Sequence, residues 1–100
     1  MDDFNTKDLC LVHVEDDDLD KNLMTRALEE MRYEGRYFHF HNGSDFVDWL
    51  RRTGKYEHST DPSPSIIFLD IGLPGLSGKD ILSKMRQEQL VVHIPVILLS

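Results

Sequence analysis

Three stretches of the chain are apolar almost without interruption and too short to be helices: Leu9-Cys10-Leu11-Val12-His13-Val14, Ile66-Ile67-Phe68-Leu69 and Val96-Ile97-Leu98-Leu99. Uniform apolar runs of this length read as strands buried on both faces of a sheet. Pro95 opens the last of them, where no ladder N–H is lost. A fourth stretch, Arg36-Tyr37-Phe38-His39-Phe40-His41, alternates in polarity and is rich in aromatic rings. It predicts a strand nearer the sheet edge.

Between the strands the period changes. Leu19, Leu23, Met24, Ala27, Leu28 and Met31 recur at helical spacing and predict a helix that packs this stripe on the core. Phe46, Val47 and Leu50 mark a second helix, and Ile81, Leu82 and Met85 a third. Asp18, Ser44 and Ser77 each stand where a side-chain oxygen can cap one of these helices. Asp20 adds a carboxylate to the first turn of the first helix, and Arg51, Arg52 and Lys55 gather near the end of the second; the helix dipole favours both. Gly35 and Asn42-Gly43 interrupt the pattern, and residues 54–64, with Gly54, Pro62 and Pro64, read as a solvated connection. The alternation β-α-β-α-β-α-β points to an α/β fold, a doubly wound parallel sheet with helices on both faces.

One hundred residues make one small domain. The net charge of −7 argues against a binder of phosphate backbones and suits a cation or a partner with a basic rim. Cys10 is the only cysteine, which precludes an intrachain disulfide and fits a reducing, cytoplasmic setting. The polar, acidic start Met1-Asp2-Asp3-Phe4 is unlike a signal peptide. No apolar run approaches the ~20 residues of a membrane helix. Residues 1–8 are expected to be a flexible N-terminus ahead of a domain over 9–100.

Two of the apolar strands run directly into acids, Val14 into Glu15-Asp16 and Leu69 into Asp70. Open parallel sheets bind ligands beyond the carboxyl ends of their strands. If these two strands are neighbours, three carboxylates converge there, and they need a cation or protons to coexist. Hard oxygen donors without histidine or cysteine suit Mg²⁺, with Mn²⁺ or Ca²⁺ as alternatives. A carboxylate beside such an ion is a candidate nucleophile for phosphoryl transfer. Ser100, at the end of the last strand, would face the same region.

Blander readings stand beside this one. Asp70 alone could cap a turn, and the acidic run could serve only solubility and helix capping. Asp16-Asp17-Asp18-Leu19-Asp20 begins like a calcium loop, but Lys21 stands where that loop needs glycine and Ala27 where it needs glutamate. His13 reads as a core or edge histidine with a hydrogen-bonded ring, because no second histidine or cysteine has metal-site spacing to it.

The segments Leu11-Val12-His13-Val14-Glu15-Asp16-Asp17, Ile67-Phe68-Leu69-Asp70-Ile71-Gly72-Leu73-Pro74, Gly78 and Pro95-Val96-Ile97-Leu98-Leu99-Ser100 together resemble the receiver domain of two-component response regulators. Trp49-Leu50-Arg51-Arg52-Thr53-Gly54-Lys55-Tyr56 and Leu73-Pro74-Gly75 are most similar to the small regulators paired with bacterial phytochrome kinases. The resemblance implies a flavodoxin-like, CheY-like sheet of order 2-1-3-4, lacking the family's fifth strand and last helices. It implies Asp70 as phosphoacceptor and Asp16 as the main metal carboxylate. Glu15 would be the second acid, the Gly72 backbone carbonyl a further ligand, and Ser100 the switch hydroxyl. The implied partner is a histidine kinase, with no nucleic acid or membrane in this segment, and the implied role is a switch more than an enzyme. The family's late lysine has no counterpart, since Lys7, Lys21, Lys55, Lys79 and Lys84 all precede the last strand. Apolar surface left open by the absent elements is expected to make the chain dimerise or swap elements. An aspartate-nucleophile phosphatase is the enzymatic rival, but Gly72 stands where its second acid belongs.

Overall fold

A computed structural model describes residues 6–99 of the chain. The elements are β1 (Cys10–Val14), α1 (Asp18–Glu30), β2 (Arg36–Phe40), α2 (Gly43–Arg51), a 3₁₀ turn (Gly54–Tyr56), β3 (Ile66–Asp70), α3 (Gly78–Gln87) and β4 (Val96–Leu99). The strands form one sheet in the order β2-β1-β3-β4, every pair parallel. This is the flavodoxin-like α/β architecture expected, with β2 at an edge. Of the N-terminal segment, Thr6 accepts from Leu9 N at 3.0 Å and, through its hydroxyl, from Glu34 N at 2.7 Å.

The two faces of the sheet are unequally covered. On one, Cys10, Val12, Val14, Phe40, Ile67 and Leu69 pack against Phe46, Val47 and Trp49 of α2 and Ile81 and Met85 of α3. Phe40, Phe46 and Trp49 form a ring cluster with centroids 5.3–6.4 Å apart. Ser77 caps α3, accepting from Asp80 N at 3.2 Å, and the Asp80 carboxylate accepts from Ser77 N at 3.4 Å, a reciprocal capping box.

The other face belongs to α1, and there the structure departs from expectation. The apolar stripe of α1 is not buried: none of its residues is, and Leu19 and Leu23 are 67% and 54% exposed. A cavity of about 410 Å³ separates Leu23, Met24 and Ala27 from His13 and Leu99. A single helix on that face cannot fill the space that two fill on the other. The same asymmetry thins β3, whose Ile67 and Leu69 are buried while Ile66 and Phe68 are only half-buried. β4 was expected to be covered on both faces; instead Ile97 and Leu98 are each 41% exposed, because β4 pairs only with β3 among the described residues.

Two caps also differ. Asp17, not Asp18, caps α1, its Oδ1 accepting from Leu19 N at 2.7 Å. Asn42, not Ser44, caps α2, accepting from Asp45 N at 2.8 Å. In each case a side chain earlier in the turn reaches the orphan N–H groups first.

Candidate metal centre

The site follows from register. β1 and β3 are adjacent and Val14 pairs with Leu69, so the next residues, Glu15 and Asp70, leave the sheet at one level. One carboxylate oxygen from each of Glu15, Asp16 and Asp70 lies within 4.8 Å of the other two. Glu15 is 4% exposed, Asp70 is half-buried and Asp16 faces solvent.

Backbone and side-chain bonds hold these acids. Glu15 N donates to Phe40 O at 2.9 Å, and His39 Nε2 donates to Glu15 O at 2.8 Å. Asp17 N donates to Glu15 Oε2 at 3.3 Å, while the same residue caps α1. Gly72 N donates to Asp70 Oδ1 at 2.8 Å, which sets the loop after β3 beside that carboxylate. The loop then returns so closely that a Cβ on Gly78 would lie 2.6 Å from Asp70 O and 2.7 Å from Ile71 Cα. Only glycine permits that approach at the start of α3.

Burial pushes the Glu15 carboxyl up to about 7, with the neighbouring Asp70 adding to the rise and the Asp17 N–H opposing it. Burial likewise pulls His13 down to about 4 and pushes Tyr37 up to about 12. Among the described residues no lysine or arginine pairs with Glu15, Asp16 or Asp70. The donor set among the described residues is therefore three hard oxygens, one of them buried. That chemistry fits a divalent cation.

The residues singled out from the sequence fall unevenly. Glu15, Asp16 and Asp70 meet, Gly72 lies beside Asp70, and Ser100 lies outside the described residues. His13 is a core histidine, as expected, 1% exposed and with Nδ1 2.9 Å from Tyr37 Oη. Its Nε2 stands 3.8 Å from Glu15 Oε1. Sequence reasoning did not connect His13, Tyr37 or His39 with Glu15, although their alternation on neighbouring strands puts all three on one face.

The profile of the response regulator receiver domain matches residues 11–100. The chain belongs to this family. Receiver domains serve two-component signalling as phosphoacceptor switches and bind divalent metal. This receiver chain is 28% identical over 100 residues to the response regulator Rcp1 of Synechocystis, covering all of this chain and 67% of that protein. The crystal structure of the Mn²⁺-bound form of Rcp1 matches with a TM-score of 0.80 at 28% identity, over 90% of this chain and 63% of that one. The bacteriophytochrome response regulator AtBRR matches with a TM-score of 0.83 at 27% identity, over 92% of this chain and 66% of that one. The phosphorylated cyanobacterial phytochrome response regulator RcpA matches with a TM-score of 0.79 at 25% identity, over 91% and 64% of the two chains. The receiver chain thus spans about two thirds of the length of these relatives.

Proposed function

We propose that Asp70 accepts a phosphoryl group from a histidine kinase and that the new charge switches the domain's surface. The carboxylate oxygen attacks phosphorus, forming an O–P bond. The N–P bond of the phosphohistidine breaks, and the departing imidazole takes a proton from solvent. Glu15, Asp16, Asp70 and the Gly72 carbonyl would hold Mg²⁺, with Mn²⁺ as an alternative. When bound it offsets the negative charge that accumulates on the transferring oxygens. Gly72 N–H orients Asp70 by occupying one oxygen, Oδ1, and leaves the other for attack. Ser100 is the hydroxyl that follows the phosphoryl group and carries the change toward the surface.

The observation that carries this reading is the meeting of three carboxylates at the ends of two adjacent parallel strands. The kinase is of the phytochrome type, in keeping with the regulators that the chain is similar to. A cytoplasmic setting goes with the single, buried thiol. No helix among the described residues is long and apolar enough to cross a membrane. The exposed Leu19, Leu23, Met31, Ile97 and Leu98 favour self-association.

Acetyl phosphate with Mg²⁺ tests the reading. The expected result is one phosphoryl group per chain by mass spectrometry, absent without Mg²⁺ and absent in Asp70→Asn. Labelling that persists in Asp70→Asn would overturn the assignment. Sustained turnover of p-nitrophenyl phosphate would favour the phosphatase reading instead.

A further inference from the structure

β2 approaches Glu15 along two routes. His39 Nε2 donates to its backbone carbonyl at 2.8 Å. Tyr37, two residues earlier on the same strand and face, places Oη 2.9 Å from His13 Nδ1. His13 in turn aims Nε2 at Glu15 Oε1, 3.8 Å away. The imidazole is 1% exposed, and it lies against the His39 ring with centroids 5.9 Å apart. A buried imidazole with both nitrogens facing polar partners, reaching from an edge strand to an acid, is more than core filling.

The directions of these contacts are determined by chemistry. A phenol carries one O–H, and a neutral imidazole carries one N–H and one bare nitrogen. The phenol can donate to Nδ1, which leaves the proton on Nε2 facing the carboxylate.

We propose that Tyr37 and His13 form a relay that positions the Glu15 carboxylate, with Tyr37 selecting the His13 tautomer and His13 holding Oε1. This rests on the cation site proposed above. At 3.8 Å the last contact is longer than a hydrogen bond, and a small rotation of the Glu15 carboxylate would close it. Oε1 is then held by His13 while Oε2 keeps the Asp17 N–H, so the carboxylate plane is determined from both ends. Both are positioning residues: neither touches the cation. Groups that orient metal-binding side chains in this way typically matter by about 10–100-fold in affinity.

The test uses ¹⁵N NMR of the imidazoles and calorimetric Mg²⁺ titration of the same samples. The expected wild-type signature is a His13 ring protonated at Nε2 only. Tyr37→Phe is expected to mix the tautomers and weaken Mg²⁺ binding about 10-fold. His13→Leu should weaken it similarly, and His13→Gln, which can still donate, should recover part of the loss. A His13 ring protonated at Nδ1 in the wild type overturns the relay irrespective of the cation. Mg²⁺ affinity unchanged within about 2-fold in Tyr37→Phe, with binding abolished in Asp16→Asn, also overturns it and leaves the cation site standing. Unaltered binding in Asp16→Asn overturns the cation site itself and the relay's role with it. Tyr37→Phe removes one oxygen from a half-buried ring, so it keeps the test decisive if a His13 variant does not fold.

Discussion

Trp49 donates its indole Nε1–H to Asp61 Oδ2 at 2.9 Å, tying a ring that is 1% exposed to the connection leading into β3. Arg52 lies 4.8 Å above the same ring and donates to the Asp61 carbonyl at 2.6 Å. Asp61→Ala strands a buried donor and is expected to cost about 1–3 kcal/mol in chemical denaturation. The Trp49 hydrogen bond, foremost, holds the Asp61 carboxyl below its ordinary 3.8. Its contribution is therefore fully present above that value and fades as pH falls through the lower, folded-state pKa. The gap between wild type and variant should narrow on acidification below about pH 4. A gap that stays constant into strong acid would assign the loss to packing alone.

Gly78→Ala places a methyl against the backbone of Asp70 and Ile71, which cannot give way without moving the loop after β3. The expected loss is about 1–3 kcal/mol. Gly43→Ala meets only side-chain atoms of Ile81 and Leu76 and should cost less. Comparing the two melting curves checks the ranking; equal losses would mean that the loop adjusts freely.

Glu15 carries its pH dependence in the opposite sense to Asp61. Its folded-state pKa is raised from 4.5 to about 7, so the folded chain holds that proton more tightly than the unfolded one. Without divalent cation, the stability linked to Glu15 is complete below 4.5 and is lost as pH rises through 7. Mg²⁺ competes with the same proton, so its affinity should rise between about pH 6 and pH 8. Thermal melts with and without Mg²⁺ at these pH values check both signs. A cation effect independent of pH would place the ion away from Glu15.

Leu19→Gln and Met31→Gln replace side chains that are 67% and 75% exposed. Each should change monomer stability by no more than about 0.5 kcal/mol. Together they should shift sedimentation toward the monomer if α1 is the face through which copies associate. Unchanged self-association in the double variant would direct attention to Ile97 and Leu98 on β4 instead.

The alternation of strands and helices was legible because the two differ in period, the order of the strands came from the resemblance to receiver domains, and the acids stood out by their position at strand ends. Ser77 was legible as a cap because nothing in its turn competes with it, whereas Asp17 and Asn42 each lie next to another good capping residue. Burial was misjudged on α1 and β4 for a shared reason: an apolar stripe says which face a segment would bury, not whether a partner is present to cover it. Trp49 escaped the second helix's apolar face because a large ring can hide while its N–H finds a distant carboxylate, here Asp61 twelve residues on. The link from Tyr37 through His13 to Glu15 was beyond reach because it depends on the register between β1 and β2.

Asp17 looks two ways. Its side chain secures the first turn of α1, and its own N–H reaches back to Glu15 Oε2. A rod clamped at its base, with no side chain sunk into the body, moves with whatever displaces the clamp. α3 meets the same acids from the other side, its first residue, Gly78, lying against the Asp70 backbone, but unlike α1 it is anchored by the buried Ile81 and Met85.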